Sequence, residues 1–184
     1  GCRGPQAVFS PSGDALIVDG KVKGLWRLEM DDETLRFMAE GNLGHHARIP
    51  FAVAFRELES GDETSMVMVA PQRDLHGYLQ VFQTHLSGGG RLGLGGGKVH
   101  HYAPTVSADG RLLAYVQAEF DDHASEAPFE NLYLMPLDQP ERGAIHLTGR
   151  RGGRPGQGPV FVGDGHQLVY IADGRVKRLE IADD

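Results

Sequence analysis

The chain lacks the features that define several common protein classes. Cys2 is the only cysteine among 184 residues, which excludes an internal disulfide. No apolar run approaches the ~20 residues that a membrane-spanning helix needs. Lysine and arginine total 18 against 25 aspartates and glutamates, which gives a formal net charge of -7. Binding to a phosphate backbone requires clustered basic side chains, so the composition argues against a nucleic-acid partner.

A recognisable catalytic or cofactor-binding set is also missing. No nucleophile elbow of the form G-x-S-x-G occurs in the sequence. Residues 88–93 fit the dinucleotide-binding pattern G-x-G-x-x-G, but more glycine follows where a helix should begin. Gly97-Lys98-Val99 lacks the hydroxyl residue of a P-loop. We therefore predict no catalytic and no cofactor-binding residues, and interpret residues 88–97 as a flexible loop between repeats.

What the sequence does contain is an internal repeat. Each unit has a short apolar strand, a turn with glycine and aspartate, and a second apolar strand; the units are residues 7–18, 53–69, 104–116 and 159–171. The turn glycines are Gly13, Gly61, Gly110 and Gly165, separated by 48, 49 and 55 residues. This period is close to the ~40–50 residues of one four-stranded propeller blade. Asp-Gly supplies the positive φ values of a two-residue hairpin turn, which we expect at Asp109-Gly110.

Further strands complete the repeat. Third strands are predicted at residues 24–28, 77–82, 131–135 and 175–181, and fourth strands at 144–148 and 34–38. The sequence therefore predicts an all-β chain, a β-propeller or partial propeller of four roughly 48-residue blades. We expect residues 1–184 to form a single domain whose repeats cover about 6–48, 49–99, 100–150 and 151–184. The strand aromatics are expected in the core between blades; they are Phe9, Phe55, Tyr115, Phe161 and Tyr170.

The third repeat resembles the TolB-like, WD-type propeller repeat of bacterial periplasmic proteins. The matching residues are Pro104, 107–111 (SADGR), 131–138 (NLYLMPLD) and Leu147-Thr148, and the first repeat keeps 9–14 (FSPSGD). The resemblance implies a propeller fold and a bacterial envelope location, periplasmic or attached to the outer membrane. Members of this class include interaction scaffolds, peptidase-associated gating domains and some enzymes, so the fold alone names no reaction.

The leading function that follows is a non-enzymatic protein-interaction scaffold. Gly1-Cys2 is consistent with the end of a lipobox, in which the cysteine is lipidated, and equally with a domain boundary or a tag remnant. The sequence stops just after the third strand of the last repeat, which predicts an open last blade. A partner strand beside residues 175–181, an oligomer, or membership of a larger assembled propeller would complete it.

The histidines suggest an alternative function. His45-His46 and His100-His101 precede the first strands of two successive repeats, each shortly before a proline. In a propeller these positions lie near the mouth of the central channel, where imidazoles from adjacent blades could bind zinc or copper. The alternative hypothesis is thus a metal-binding propeller or enzyme with His45, His46, His100 and His101 as ligands. Calcium in the acidic insert at residues 119–126 is a weaker possibility.

Overall fold

The computed structural model describes residues 7–9, 15–19, 25–39, 52–57, 64–73, 75–85, 91–119, 129–148, 155–163, 165–172 and 174–182. These segments are almost entirely strand, and the one helical element among them is a 3-10 turn at Pro140–Arg142. None of the helices in this part of the chain has the length and apolar character needed to cross a membrane.

In the described segments, fifteen strands form four antiparallel sheets, each built from strands that follow one another in sequence. Sheet 1 contains β1 (Ala7–Phe9), β2 (Ala15–Asp19), β3 (Leu25–Glu29) and β4 (Leu35–Ala39). Sheet 2 contains β5 (Ala52–Glu57), β6 (Thr64–Arg73), β7 (Leu79–His85) and β8 (Arg91–Gly93). Sheet 3 contains β9 (His100–Val106), β10 (Leu112–Glu119), β11 (Phe129–Pro136) and β12 (Ile145–His146). Sheet 4 contains β13 (Pro155–Val162), β14 (Gln167–Ala172) and β15 (Arg175–Glu180).

The first strands of the sheets, β1, β5, β9 and β13, form an inner row. β1 contacts β5, β5 contacts β9, and β9 contacts β13. Successive sheets therefore lie side by side with their first strands towards a common axis, which is the arrangement of propeller blades. The all-β partial propeller predicted from the repeats is confirmed, and the described part of its last sheet has three strands.

The hydrophobic core lies between neighbouring sheets. Leu113 and Tyr115 of β10 belong to a cluster with Val81 and Leu94 from sheet 2. Ala114, between them in sequence, belongs to a second cluster with residues of sheet 4. Both faces of β10 are thus buried, because side chains alternate across a strand and each face meets a different sheet.

The prediction that the strand aromatics are core residues is confirmed only in part. Tyr115 is 3% exposed, whereas Phe9 on β1 is 59% exposed. Phe161 and Tyr170 are half-buried, and the side chain of Phe55 lies outside the described residues. Phe9 is more exposed because no described sheet packs against its face of sheet 1. The equivalent face of an interior sheet is covered by the neighbouring sheet.

The turn between β9 and β10 is longer than predicted. Ser107 N–H donates to the Leu112 carbonyl (2.9 Å), and Gly110 N–H donates to the Ser107 carbonyl (2.9 Å). The hairpin therefore closes over four residues, not the two expected from Asp109-Gly110 alone. Gly110 has a φ of +71°, the left-handed conformation expected of this glycine. The Asp109 carboxylate accepts hydrogen bonds from the Ser107 hydroxyl (2.5 Å) and the Arg111 N–H (3.0 Å), which holds the turn in this longer form.

The glycine-rich segment before sheet 3 is not purely a loop. Arg91–Gly93 forms β8, the outermost strand of sheet 2. Leu94 follows it, donates its N–H to the Val81 carbonyl (2.8 Å) and is 6% exposed. The interpretation of residues 88–97 as a loop throughout is therefore wrong for residues 91–93, because pairing with β7 supplies the backbone partners that local sequence does not indicate.

Candidate functional site

The candidate site lies at the end of sheets 2 and 3 where their strands β7 and β9 begin. β9 starts with His100 and His101, two of the four histidines predicted as metal ligands. The antiparallel register places His101 opposite Gln117 of β10. The end of the molecule that contains this site is opposite to the Ser107–Arg111 turn, because that turn follows the last residue of β9.

His101 is a buried histidine with one unpaired ring nitrogen. Its side chain is 2% exposed, and Nε2 lies 3.0 Å from Gln117 Oε1. The imidazole meets the Tyr115 ring edge-on, with the ring centroids 5.1 Å apart. Nδ1 has no hydrogen-bond partner in the described structure. Burial lowers the pKa of His101, and the neighbouring His100 lowers it further against the opposing effect of the Gln117 hydrogen bond.

Gln80 of β7 is a second buried polar residue at this end of sheets 2 and 3. Its side chain is 3% exposed, and its Nε2 donates to the carbonyls of Val99 (3.0 Å) and Gly97 (3.3 Å). These two bonds determine the amide orientation, so the remaining atom, Oε1, is an acceptor. Oε1 has no hydrogen-bond partner among the described residues.

The two unpaired atoms, His101 Nδ1 and Gln80 Oε1, both lie next to Gly95. A Cβ added at this glycine would lie 2.2 Å from His101 Nδ1 and 3.2 Å from Gln80 Oε1. The backbone of residue 95 therefore packs directly on the imidazole, and only glycine leaves room for it. The three residues form one packed unit, which we call the Gln80–Gly95–His101 cluster.

His100 has a different environment from His101. Its Nδ1 accepts a hydrogen bond from the Leu79 N–H (2.9 Å), and its ring contacts the Tyr78 ring at a centroid distance of 5.4 Å. A neutral imidazole whose Nδ1 lone pair accepts a hydrogen bond carries its proton on Nε2. Metal binding at His100 would therefore require either that proton or the Leu79 hydrogen bond to be lost.

A surface pocket of about 500 Å³ lies beside His100. It is lined by His76, Tyr78, Gly97 and Lys98. His76 and Lys98 are exposed and Tyr78 is half-buried. The ammonium of Lys98 is a hydrogen-bond donor, and the imidazole and phenol can donate as well, so the pocket is suited to carboxylate and carbonyl oxygens. The hydrogen bonds from Gln80 to residues 97 and 99 secure one wall of the pocket to sheet 2.

The structure describes only two of the four histidines of the predicted metal site, His100 and His101. His45 and His46 lie outside the described residues, as does most of the acidic insert proposed for calcium. His100 and His101 are adjacent in sequence but engage different partners, Leu79 and Gln117. Within the described segments, no three histidine, cysteine, aspartate or glutamate residues are grouped closely enough to hold a metal ion. The four-histidine site stays a prediction.

Sequence reasoning missed Gln80, Gly95 and the pocket residues. Gln80 interrupts the apolar strand pattern Leu79-Gln80-Val81, and a polar residue there is a usable signal of a buried hydrogen bond. Gly95 carries no comparable signal, because it is one of many glycines in the same segment. Its role depends on contact with His101, six residues later in the chain, and with Gln80, fifteen residues earlier.

Comparison with solved structures identifies the fold. A TolB protein from Agrobacterium tumefaciens superposes with a TM-score of 0.58 at 16% identity, over 96% of this chain and 57% of that one. TolB from Acinetobacter baumannii gives a TM-score of 0.57 at 14% identity, over 95% and 40%. A puromycin-hydrolysing peptidase from Mycobacterium tuberculosis gives 0.50 at 14%, over 100% and 30%. No family model and no curated protein matches the sequence.

The chain thus has a TolB-like propeller fold and spans 57% or less of the length of these three proteins. The neighbours include a peptidase as well as TolB proteins, so the shared fold does not distinguish an enzyme from a binding protein. Function has to be argued from the site.

Proposed function

We propose that this chain is a non-enzymatic protein-interaction module of TolB-like propeller type in the bacterial cell envelope. The observation that supports it is the pocket of His76, Tyr78 and Lys98, built on a tightly packed end of two blades. The buried side chain of Gln80 holds the backbone of residues 97 and 99 in place through two hydrogen bonds. A rigid support with one aromatic and one cationic side chain at the surface is a favourable base for binding a partner.

The chemistry of the pocket indicates the kind of partner segment. The chain as a whole is acidic, with a formal net charge of -7, whereas the pocket exposes a lysine and a histidine. A partner segment that carries a carboxylate, with an apolar or aromatic neighbour to cover Tyr78, would complement the positive charge of Lys98. The module would then recognise an acidic segment of another envelope protein.

Site-specific photocrosslinking in the source bacterium tests this function. A photoreactive amino acid replaces His76 or Lys98 in turn, and the control replaces Ala108, an exposed residue in the turn at the opposite end of β9. We expect one defined adduct with an envelope protein from positions 76 and 98 and none from 108. Equal adducts from all three positions, or none from 76 and 98, would refute binding at this pocket.

A binding measurement with the purified adduct partner then tests the pocket chemistry. Lys98→Glu should weaken binding by about tenfold or more, since it replaces the donor cation by a like charge for an acidic segment. Arg175→Glu, an exposed charge reversal of the same size on sheet 4, is the matched control and should leave affinity unchanged. An unchanged affinity for Lys98→Glu would contradict the acidic-segment proposal.

The envelope location is part of the same proposal. We infer that the protein is periplasmic or attached to the outer membrane through a lipidated Cys2. Fractionation of cells that express the natural gene tests this inference. The wild-type protein should be recovered in the outer-membrane fraction, and the Cys2→Ser variant should be recovered in the periplasmic fraction. Recovery of both forms in the cytoplasm would contradict the location, and a periplasmic wild type would contradict only the anchor.

A metal-binding propeller is the second candidate function. The observation that favours it is the unpaired Nδ1 of His101, whose other ring nitrogen is bonded to Gln117 in the way that outer-shell partners orient metal-bound histidines. Against it, the backbone of Gly95 lies on the Nδ1 side of the ring. Titration with zinc or copper should show one site that His45→Gln, His46→Gln and His101→Gln each abolish. Equal binding by wild type and these variants would eliminate the site.

A further inference from the structure

The segment between β8 and β9 is fixed from below by the side chain of Gln80. Gln80 Nε2 donates hydrogen bonds to the carbonyl oxygens of Val99 (3.0 Å) and Gly97 (3.3 Å). Because the Gln80 side chain is 3% exposed, both carbonyls point into the protein. Gly97 and Lys98 themselves are exposed. The segment therefore has an inner side, which carries the two bonded carbonyls, and an outer side at the surface.

The same hydrogen bonds determine the direction of one amide proton. The peptide bond between Gly97 and Lys98 is trans, as are all peptide bonds in the described segments. In a trans peptide group the carbonyl and the following N–H point in opposite directions. The Gly97 carbonyl points to Gln80, so the Lys98 N–H points away from Gln80, towards the outer side of the segment.

Lys98 offers two hydrogen-bond donors at the surface. In the described part of the chain, its N–H donates to no protein acceptor and its side chain makes no ion pair. The backbone N–H and the ammonium are both available to an anionic ligand. The orientation of this peptide group depends on glycine at position 97, because Gly97 has a φ of +91°.

These donors belong to the pocket described above, which is lined by His76, Tyr78, Gly97 and Lys98. Its volume of about 500 Å³ is in the range of sites that hold small ligands. The half-buried ring of Tyr78 provides an aromatic surface within it. Leu75 is fully exposed in the same β6–β7 turn that contributes His76. The pocket thus combines donors for an anion with an aromatic ring, and an exposed apolar side chain lies in the turn that forms part of its lining.

We propose that this pocket binds the C-terminal residue of a partner polypeptide, with the terminal carboxylate at Lys98 and the last side chain on Tyr78. The proposal rests on the function proposed above and names the group of the partner that is recognised. The two oxygens of one carboxylate can accept hydrogen bonds from the Lys98 N–H and from its ammonium at the same time. Capture of a C-terminal carboxylate by backbone N–H groups is a recurring mode of peptide recognition.

The arrangement favours a chain end over an internal aspartate or glutamate. In a C-terminal residue, the carboxylate and the side chain are attached to the same Cα, so a single residue can reach Lys98 and Tyr78 together. An internal acidic residue uses its side chain for the carboxylate, and a second residue has to cover Tyr78. We therefore expect an apolar last residue, whose side chain packs on the aromatic ring.

Titration of the isotope-labelled full chain with three short probes, followed by NMR, tests the proposal. N-acetyl-alanyl-leucine has a terminal carboxylate, N-acetyl-alanyl-leucinamide has none, and N-acetyl-glutamyl-leucinamide has a carboxylate only on a side chain. We expect the free acid to bind with a Kd on the order of 1 mM and both amides to bind about tenfold more weakly or worse. The amide proton of residue 98 should move downfield with the free acid, because its N–H then donates to a carboxylate.

Two variants separate the ammonium from the backbone donor. Lys98→Gln removes the charge but retains the N–H, so it should weaken binding of the free acid by about tenfold and keep the downfield shift. Gly97→Ala retains the charge but strains the backbone at a φ of +91°, and a Cβ there meets no atom within 4 Å. It should weaken binding and remove the shift. Arg175→Gln, at an exposed cation of sheet 4, is the control and should bind as the wild type does.

Three results of these titrations would overturn the proposal. The first is no detectable binding of the free acid. The second is equal binding of the free acid and either amide, since the terminal carboxylate would then not be the recognised group. The third is wild-type affinity in both Lys98→Gln and Gly97→Ala.

The partner found by crosslinking distinguishes failure of this proposal from failure of the proposed function. Two residues added after its natural last residue should weaken its binding by about tenfold or more. Unchanged binding of the extended partner would overturn recognition of the chain end and leave the interaction module supported. Binding of the free-acid probe without any crosslinked partner would refute the module and still support the carboxylate site.

Discussion

Gly95 lies against the imidazole of His101 so closely that a methyl group at residue 95 would fall 2.2 Å from Nδ1. The contact connects the glycine-rich segment after β8 to the first strand of sheet 3. It also explains why a histidine that is 2% exposed can leave one ring nitrogen without a hydrogen bond: the neighbouring backbone excludes a polar partner from that side.

The substitution Gly95→Ala should destabilise the protein by about 1–3 kcal/mol, because the added methyl group forces His101 out of a packed position. Urea denaturation of both proteins measures the change in the free energy of unfolding. Gly96→Ala is the matched control, since a Cβ there meets no atom within 4 Å, and it should be nearly neutral. The double variant Gly95→Ala/His101→Ala should lose less stability than the sum of the two single changes.

The pH dependence of stability should report the burial of His101. Its pKa in the folded protein is below the ordinary value of 6.5, so the folded state binds fewer protons than the unfolded state at acidic pH. The resulting stability is fully present above pH ~6.5 and is lost as the pH falls towards the folded pKa. Denaturation curves of wild type and His101→Gln should therefore converge as the pH is lowered below 6.5. A difference that stays constant with pH would contradict a buried neutral His101.

At the β9–β10 turn, Gly110→Val should destabilise by about 1–3 kcal/mol, because a β-branched residue is strained at a φ of +71°. Gly110→Asn is the control, since asparagine tolerates the left-handed conformation better, and it should cost clearly less. Thermal melting of the three proteins measures the order of stability. Equal melting temperatures for the valine and asparagine variants would show that this turn does not limit the stability of sheet 3.

The contact between β9 and β13 gives a fourth prediction. Ala103 has a φ of +49°, next to a bulge in β9, and a Cβ at Gly158 would lie 2.5 Å from the Ala103 Cβ. Gly158→Ala should destabilise by about 1–3 kcal/mol by forcing the two inner strands apart. Adding Ala103→Gly removes both the clash and the ~1–2 kcal/mol cost of left-handed alanine, and should restore most of the loss. Chemical denaturation of the single and double variants measures this; a double variant no more stable than Gly158→Ala would contradict the contact.

The strands could be predicted from the sequence because their signals are local. The third strands near residues 131–135 and 175–181 and the outer strand near 144–148 follow from apolar runs bounded by turn residues, and the structure has strands at all three places. The turn at Gly110 follows from the conformational freedom of glycine, although its length does not. β8 was missed because its pairing with β7 overrides a local sequence that is typical of a loop.

The candidate site was predictable only in part. The sequence singled out His100 and His101 by their position before a first strand, and both lie at the start of β9. It did not show that one ring is bonded to Leu79 and the other is packed between Tyr115 and Gly95, because these contacts join separate segments. Nor did it indicate that Gln80 supports the wall of a pocket through the carbonyls of residues 97 and 99.

The sequence by itself determined the all-β class, the repeat period and the alternation that gives each strand two apolar faces, since all three arise from backbone preferences and side-chain spacing within a few residues. Only the tertiary structure decided which apolar faces are covered. Val106 of sheet 3 and Phe9 of sheet 1 occupy equivalent positions, paired with Leu113 and Leu16, yet Val106 is half-buried against a core cluster and Phe9 is 59% exposed. Burial is a property of the neighbouring sheet, and a residue's own segment carries no information about whether that neighbour is present.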